Sequence, residues 1–423
     1  MSGVVMRSGV DQEILRQEIL RARKITDALL DQVLPEAMYD RPIPERHRML
    51  FYLGHLEAFD WNQIGRNVLG LRPISEELDR LFAFGIDPPP GQLPQDTPRD
   101  WPTLEKAGAY VRQIRVRLDQ EIGNAPEHSL HVALEHRLMH AETITYLLHN
   151  LPYGRRRLPA NAPAPPAGES AATTRLVEIP AGNATLGLKR GGGFGWDNEF
   201  ERHTRHVPAF RIAKYKVTNG DYLKFVNDGG SPPHYWTKRS GQWFYRGFQT
   251  EMPLPADLPV YVSHAQAESY AQWVGKALPT EAQFHRAAFG IPYGGTADGG
   301  TPDGEERSFP WGPQPPGGEH GNFDFRHADL LPVTATSAGD SAFGVSQLVG
   351  NGWEWTSSVF EPFPGFQPDP SYPGYSADFF DGDHYVLKGG SCATDAALLR
   401  ASFRNWFRRH YPYAYTTFRI VEN

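Results

Sequence analysis

A stretch of small residues divides this chain into two halves, and the division limits the possible folds more than any other feature. Residues 155–174, RRRLPANAPAPPAGESAATT, are dominated by Ala, Pro and Gly and nearly lack large apolar residues. Such a stretch buries too little apolar surface to form a core and is typical of a linker. A chain of 423 residues is long enough for two or three domains. We therefore expect domains at residues 1–157 and 173–423, joined by a linker at 158–172.

The N-terminal half has helical periodicity. In QEILRQEILRARKITDALLDQVL, apolar residues recur at a spacing near 3.6 residues. Similar segments follow at about 47–70, 103–122 and 128–149. The stretch FGIDPPPGQLPQDTPRDWP between the second and third is too rich in proline to be helical throughout. Four such segments predict a four-helix bundle, with an ordered loop at the proline-rich stretch.

The C-terminal half has a different texture. Gly, Pro and aromatic residues are dense, and short β-like runs alternate with turns. Helical periodicity appears only locally, as in SHAQAESYAQWVGK. This pattern predicts a loop-rich α+β domain.

Composition excludes several classes of function. The net charge of −7 disfavours nucleic-acid binding. No run of about 18 apolar residues indicates a membrane span, and the N-terminus lacks the apolar core of a signal peptide. The single cysteine, Cys392, excludes an intrachain disulfide or a multi-cysteine zinc site. We expect a cytoplasmic protein.

A candidate metal site lies in LEHRLMHAET, residues 134–143. His136 and His140 are four residues apart, so a helix would place both rings on one face. His55, in the strongly apolar segment MLFYLGHLEAFDW, would also face the interior of a bundle. Three imidazoles suit iron, zinc, copper or nickel alike, and Glu142 could orient one of the rings. The alternative is an ordinary amphipathic helix, because two histidines at this spacing often occur by chance.

The C-terminal half contains several motifs in a specific order. They are LVEIPAGNATLG, GWDNEFERHTRHVPAFRIAKYKVTNGDYLKFV, LPVYVSHAQAESYAQWVGKALPTEAQFHRAA, FGVSQLVGNGWEWTSS, LKGGSCATD, FRNWF and TTFRIV. This order resembles the formylglycine-generating-enzyme-like, or sulfatase-modifying-factor, domain over residues 173–423. The resemblance implies a variant of the C-type lectin fold. Trp353 and Trp355 are large enough to organise a core otherwise poor in regular elements, so we expect Asn351–Trp355 to be structural.

The two halves together resemble a narrower family. Formylglycine-generating enzymes hold copper with two cysteines, whereas this chain has only Cys392. A helical domain with His55, His136 and His140, fused to such a C-terminal domain, resembles the EgtB-type sulfoxide synthases of ergothioneine biosynthesis. The resemblance implies a DinB-like bundle in which the three histidines hold iron(II), with Glu142 completing an HxxxHxE motif.

That family joins a thiol donor to C2 of the imidazole of hercynine, which is trimethylated histidine, and consumes dioxygen. The resemblance implies that Asn405 holds the hercynine carboxylate and that Trp406 and Tyr375 lie near its cation. Aromatic faces suit a trimethylammonium group, which cannot donate hydrogen bonds. Tyr372 would be the proton donor, since a tyrosine hydroxyl is protonated at neutral pH yet can release its proton.

Two departures concern the second substrate. Ergothioneine synthases have glutamine where this chain has Met139, and a thioether cannot replace the hydrogen bonds of that amide. Members that use γ-glutamylcysteine have an arginine-rich loop between the second and third helices and an aspartate after Asn-Trp. Here the loop has only Arg99, and Phe407 replaces the aspartate. A doubly carboxylated donor would lack its arginine partners.

The missing arginines slightly favour a relative of the family, the SenA-type selenoneine synthases, whose donor is an uncharged selenosugar. Cysteine remains the close alternative, since Arg404, Arg408 or Arg409 could bind its carboxylate. Two other classes stay open: a DinB-type metal-dependent thiol transferase and a lectin-like binding module.

Overall fold

The computed structural model describes residues 3–85, 92–157, 175–292 and 306–423, with side chains from residue 12 onward. The chain forms two compact units, Met1–Ala160 and Asn161–Asn423. The predicted linker at 158–172 lies outside the described residues. Within the described ranges, no helix is both long and apolar enough to cross a membrane.

The first unit is helical. Its helices are α1 (Gly3–Leu30), α2 (Met49–Asp60), α3 (Glu76–Phe84), α4 (Leu104–Glu121) and α5 (Glu127–Asn150). Helix α2 continues into a π-helical segment, Trp61–Val68. Every residue of α2 except Leu53 is buried, because α3, α4 and α5 all pack against it. Helix α2 is therefore the centre of the unit.

Helix α3 was not predicted from the sequence. Ser75 caps this helix by accepting a hydrogen bond from the backbone N–H of Leu78. Acidic residues fill its first turn, and Leu78 and Phe82 lie four residues apart on the buried face. These are ordinary helix-start signals, but the segment is only nine residues long and adjoins the proline-rich stretch.

The second unit is the expected loop-rich mixture of short strands and helices. In chain order its elements are β1 (Leu176–Ile179), β2 (Gly182–Leu186), β3 (His203–Val207), β4 (Phe210–Ala213), α6 (Asn219–Asn227), β5 (Trp236–Arg239), β6 (Gln242–Arg246), β7 (Glu251–Pro253), α7 (His264–Trp273), α8 (Glu281–Phe289), β8 (Trp353–Val359), β9 (His384–Lys388), β10 (Asn405–Arg408), β11 (Thr416–Thr417) and β12 (Val421–Glu422). The strands form sheets in the orders β1-β4-β12, β2-β3, β5-β6-β7 and β10-β9-β8-β11.

Buried polar and aromatic groups organise the interior around β8. Trp355 is fully buried, and its indole N–H donates to the carbonyl of Val262 at 2.9 Å. Glu354 is also fully buried and accepts hydrogen bonds from Lys216 and Arg419. Gly350, just before the strand, has φ of 79°, and a Cβ there would lie 2.6 Å from the carbonyl oxygen of Asn322. Only glycine fits such a close approach without strain.

Candidate functional site

Three histidine rings converge in the core of the helical unit. Helix α2 supplies His55, and α5 supplies His136 and His140. One ring nitrogen from each lies within 4.8 Å of the others. The Nε2 atoms of His55 and His140 are 3.2 Å apart. Two nitrogens bound to one ion at about 2.1 Å lie about 3.0–3.4 Å apart, so this spacing fits a shared metal ion.

His55 is held by a backbone carbonyl. Its Nδ1 lies 2.7 Å from the carbonyl oxygen of Phe82 on α3. Because that oxygen can only accept, Nδ1 carries the proton and Nε2 keeps a lone pair. The ring also stacks on Phe51 at 4.6 Å. A histidine that donates its second N–H in this way is fixed in tautomer and orientation, as metal ligands usually are.

His136 and His140 are less completely satisfied. His136 stacks on Phe59, with 3.4 Å between ring centroids and 9° between planes. The Nδ1 atoms of His136 and His140 are buried and have no hydrogen-bond partner among the described atoms. Unpaired buried nitrogens cost free energy. Three close imidazoles, with the Nε2 atoms of His55 and His140 facing one another, are a donor set that fits a divalent transition metal.

The surroundings keep the three rings neutral. Burial lowers the pKa of His55 to about 4. Burial also lowers the pKa values of His136 and His140 well below the ordinary value, and the neighbouring histidines lower them further. Neutral imidazole is the form that offers a lone pair to a metal, so the site needs no deprotonation before binding.

A buried ionic network, which the sequence analysis missed, joins the helices that bear these rings. Arg137, between the two histidines of α5, donates to Asp60 at 2.6 Å and lies 3.1 Å from Glu57, both on α2. Arg115 of α4 donates to Glu57 at 2.7 Å and also binds Asp27 of α1. The only sequence signal was a charged residue inside the histidine motif. The network fixes α5 against α2.

The remaining two predicted residues of the helical unit also lie on α5. Glu142 is buried, but 3.6 residues per turn place it about 160° around the helix from His140. Its side chain therefore leaves α5 on a different face from the His140 ring. Met139 is half-buried and is the direct neighbour of His140 in the chain.

The second unit brings three of the predicted aromatic residues together. The Tyr372 and Tyr375 rings are 5.7 Å apart. Trp406 stands nearly perpendicular to Tyr375, at 5.4 Å and 82°. Trp196, which the sequence analysis did not single out, stacks on Tyr375 at 3.9 Å. Burial raises the pKa of Tyr372 above its ordinary value, so its hydroxyl keeps its proton at neutral pH.

Strand β10 separates the other predicted residues. Side chains alternate between the two faces of a strand, so Asn405 and Phe407 lie on the opposite face from Trp406. Phe407 stacks on Tyr411 at 5.0 Å, and the Asn405 side chain accepts a hydrogen bond from the backbone N–H of Trp406 at 2.8 Å. The predicted substrate residues thus fall into two groups within this unit.

Arg404 does not have the arrangement that a substrate-binding role requires. Its side chain is buried, and its guanidinium donates to both carboxylate oxygens of Glu281 at 3.0 and 3.2 Å. Its third nitrogen, Nη1, donates to the carbonyls of Asn198 and Glu361. The interior of the unit engages all three guanidinium nitrogens, so the assignment of Arg404 to substrate gives way to a structural role. Glu281 lies 123 residues away in sequence, and no local pattern indicated this pair.

Known proteins match both the second unit and nearly the whole length of the chain. The family model of the sulfatase-modifying factor enzyme 1-like domain matches residues 162–423. A hercynine oxygenase from Mycolicibacterium smegmatis is 34% identical over 94% of this chain and 96% of its own length. The chain belongs to the EgtB-type hercynine oxygenase family.

Two further matches are more distant. Ergothioneine biosynthesis protein 1 from Neurospora crassa is 27% identical over 94% of this chain and 56% of its own length. A solved structure, PvdO from Pseudomonas aeruginosa, is 20% identical with a TM-score of 0.40, and the match covers 60% of this chain and 99% of that chain.

Proposed function

We propose that the chain is an oxygen-dependent oxidoreductase that joins sulfur or selenium to C2 of the imidazole ring of hercynine. One observation carries the proposal: three converging histidines lie in a chain that matches a hercynine oxygenase along nearly its whole length. The helical unit would then be a DinB-like four-helix bundle with α3 added, and the second unit a C-type-lectin variant. The functional domains would span residues 1–157 and 173–423.

His55, His136 and His140 would hold iron(II). When bound there, iron(II) supplies open positions at which dioxygen and a soft sulfur or selenium donor are activated. The chain contributes orientation, since the carbonyl of Phe82 fixes the His55 ring. Phe51 and Phe59 stack on the faces of the His55 and His136 rings and hold the two rings in place.

Tyr375 and Trp406 would recognise the trimethylammonium group of hercynine. The two rings meet at nearly a right angle, with Trp196 stacked on Tyr375 and Phe360 stacked on Trp406, and aromatic rings attract a cation that has no hydrogen-bond donor. The hercynine carboxylate is attached to the same carbon as this cation, so Asn405, on the other face of the edge strand β10 from Trp406, would bind it around that edge. Tyr372, whose hydroxyl stays protonated, would deliver a proton during the reaction.

For the donor, we slightly favour an uncharged selenosugar over cysteine. Met139 and Phe407 replace the polar residues that ergothioneine synthases use. Arg404 is engaged by Glu281 and Arg409 by Glu268, which leaves fewer cations for a donor carboxylate. Of the three arginines considered for this role, Arg404 is buried, whereas Arg408 and the side chain of Arg409 are exposed.

The deciding experiment reconstitutes the protein with Fe(II) without oxygen and then adds hercynine and air. Parallel reactions contain cysteine, γ-glutamylcysteine, a selenoglucose or a thioglucose, and mass spectrometry identifies the products. A hercynine adduct that requires both iron and oxygen is the expected result, and the donor that gives it settles the specificity. No adduct with any donor would overturn the proposal.

The same experiment distinguishes the alternatives. A thiol transferase would give product without oxygen, and a lectin-like module would bind a ligand without metal and form no product. His55→Ala, His136→Ala and His140→Ala should each abolish stoichiometric iron binding. His131→Ala is the matched control, because His131 lies on α5 outside the cluster.

A further inference from the structure

A turn of consecutive polar residues is buried inside the second unit. Asp197, Asn198 and Glu199 are 3%, 1% and 0% exposed, and Trp196 before them is 1% exposed. Buried carboxylates and amides are stable only where hydrogen bonds replace water. The partners of residues 196–199, called here the 196–199 turn, reach two separate parts of the chain.

One set of partners lies in the loop that carries both predicted tyrosines, residues 369–376. The Asp197 carboxylate accepts a hydrogen bond from the hydroxyl of Ser376 and another from the backbone N–H of Asp369 at 3.4 Å. The Asn198 amide donates to the same hydroxyl at 2.9 Å. Trp196 stacks on Tyr375, the residue before Ser376. The turn therefore contacts the 369–376 loop at both of its ends.

The other set lies just before β10. The Glu199 carboxylate accepts hydrogen bonds from Arg400 at 2.8 Å and from the Ser402 hydroxyl at 2.7 Å. The carbonyl of Asn198 accepts one from Arg404 at 3.2 Å. Trp406 follows two residues later on the strand. The turn thus contacts both the loop that carries Tyr375 and the segment that precedes Trp406, the two rings that meet at a right angle.

We propose that Asp197 and Glu199 are positioning residues that set the Tyr375–Trp406 corner for the cationic group of the substrate. The 369–376 loop contains no helix or strand of its own. Side chains consequently fix its position relative to β10. The turn supplies charge-assisted hydrogen bonds both to this loop and to the segment before β10. This inference rests on the proposed function, because the substrate cation is the trimethylammonium of hercynine.

The test combines a structural readout with a kinetic one. Asp197→Asn keeps the size of the side chain and removes its charge, and Ser376→Ala removes the same contact from the loop side. Asp329→Asn is the matched control: Asp329 is another buried carboxylate, and it accepts the backbone N–H of Phe248 at 2.6 Å in a different loop. Hydrogen exchange of the 369–376 peptide and the kinetic constants for hercynine are measured for all three.

We expect exchange in the 369–376 peptide to accelerate by about tenfold or more in Asp197→Asn and in Ser376→Ala, as for a lost hydrogen bond to a charged group. The KM for hercynine should rise about tenfold with a smaller fall in kcat, and Asp329→Asn should change neither. If both test variants exchange and turn over like the wild type, the inference is overturned. Faster exchange with an unchanged KM also overturns it, because the loop would then be ordered for stability alone.

Failure of the proposed function is recognised separately. If the wild-type protein gives no hercynine product with any donor, the kinetic constants cannot be measured. Hercynine is then rejected as the substrate, and so is the role of the Tyr375–Trp406 corner in recognising it. The hydrogen-exchange measurement needs no substrate and still decides whether the 196–199 turn orders the 369–376 loop. If Asp197→Asn does not fold, Ser376→Ala carries both measurements.

Discussion

The ring of His55 and the backbone of Phe82 are joined by a 2.7 Å hydrogen bond that leaves Nε2 of His55 facing His140. The bond ties a candidate metal ligand on α2 to helix α3, which the sequence analysis had not identified. Because the acceptor is a backbone carbonyl, no substitution of the Phe82 side chain removes this acceptor directly. Its geometry depends on how closely α2 and α3 approach.

Gly54 sets that approach, and Gly54→Ala should weaken metal binding. A Cβ at this position would lie 2.3 Å from the ring of Phe82, which is fully buried and has no room to move aside. Helix α3 must shift away, and the carbonyl that orients His55 moves with it. We expect a loss of about 1–3 kcal/mol in stability and about 10–100-fold in iron affinity.

Gly108→Ala on α4 is the control for Gly54→Ala. A Cβ there meets only the end of the flexible Arg112 side chain, at 3.3 Å. This variant should match or slightly exceed the wild type in stability, by up to about 1 kcal/mol, and bind iron normally. Thermal unfolding and iron titration compare the two variants. Equal iron affinity in both would mean that the α2–α3 spacing does not control the site.

Some contacts of the candidate sites were predictable from the sequence, and others were not. Helical spacing predicted that His136 and His140 share one face of α5, and the apolar α2 favoured an inward His55, but it was the resemblance to the EgtB-type family that joined the three in one metal site. The contacts of Arg404 and Trp196 were not predictable, since their partners Glu281 and Tyr375 lie far away in the chain. The separation of Asn405 from Trp406 follows from strand alternation, but only once residues 405–408 are known to form a strand. Local periodicity thus identified the helical site better than the loop-built one.

Arg137→Met should destabilise the helical unit strongly. The substitution keeps much of the side-chain volume but leaves Asp60 and Glu57, each 1% exposed, without a cation that they contact at 2.6 and 3.1 Å. Breaking one side of a buried ion pair typically costs about 3–5 kcal/mol. Urea denaturation followed by circular dichroism measures the loss. Arg16→Met removes the exposed pair with Glu13 and should leave the midpoint unchanged; similar midpoints for both variants would mean that the buried network does not stabilise the unit.

Acid should weaken the second unit through Glu199. Burial alone would raise the pKa of this carboxyl, but the Arg400 guanidinium and the donors from Ser402 and Trp196 together lower it below the ordinary value of 4.5. A carboxyl with a lowered pKa in the folded state stabilises the fold above its unfolded value, and the contribution is lost as the pH falls further. The thermal midpoint should therefore fall as the pH drops below 4.5. Glu199→Gln should be less stable than the wild type at neutral pH and lose less on acidification; parallel pH curves would contradict this.

Tyr372 and Tyr375 are neighbours in one loop, and their substitutions should have opposite kinetic signatures. Tyr372→Phe keeps the ring and removes the hydroxyl, so a proton donor would be lost while binding is retained. We expect kcat to fall by about 10²–10⁴-fold at an unchanged KM.

Tyr375→Leu removes the ring that faces Trp406 and stacks on Trp196. The KM for hercynine should rise by about 2–30-fold, the loss expected for one cation–π contact, with little change in kcat. Tyr270→Phe, which removes a buried hydroxyl in a ring pair with Tyr222, is the control and should leave both constants unchanged. Because the two tyrosines share one loop, a general loss of loop order would move kcat and KM together in both variants. Only separate effects on kcat and KM support separate roles in proton delivery and cation binding.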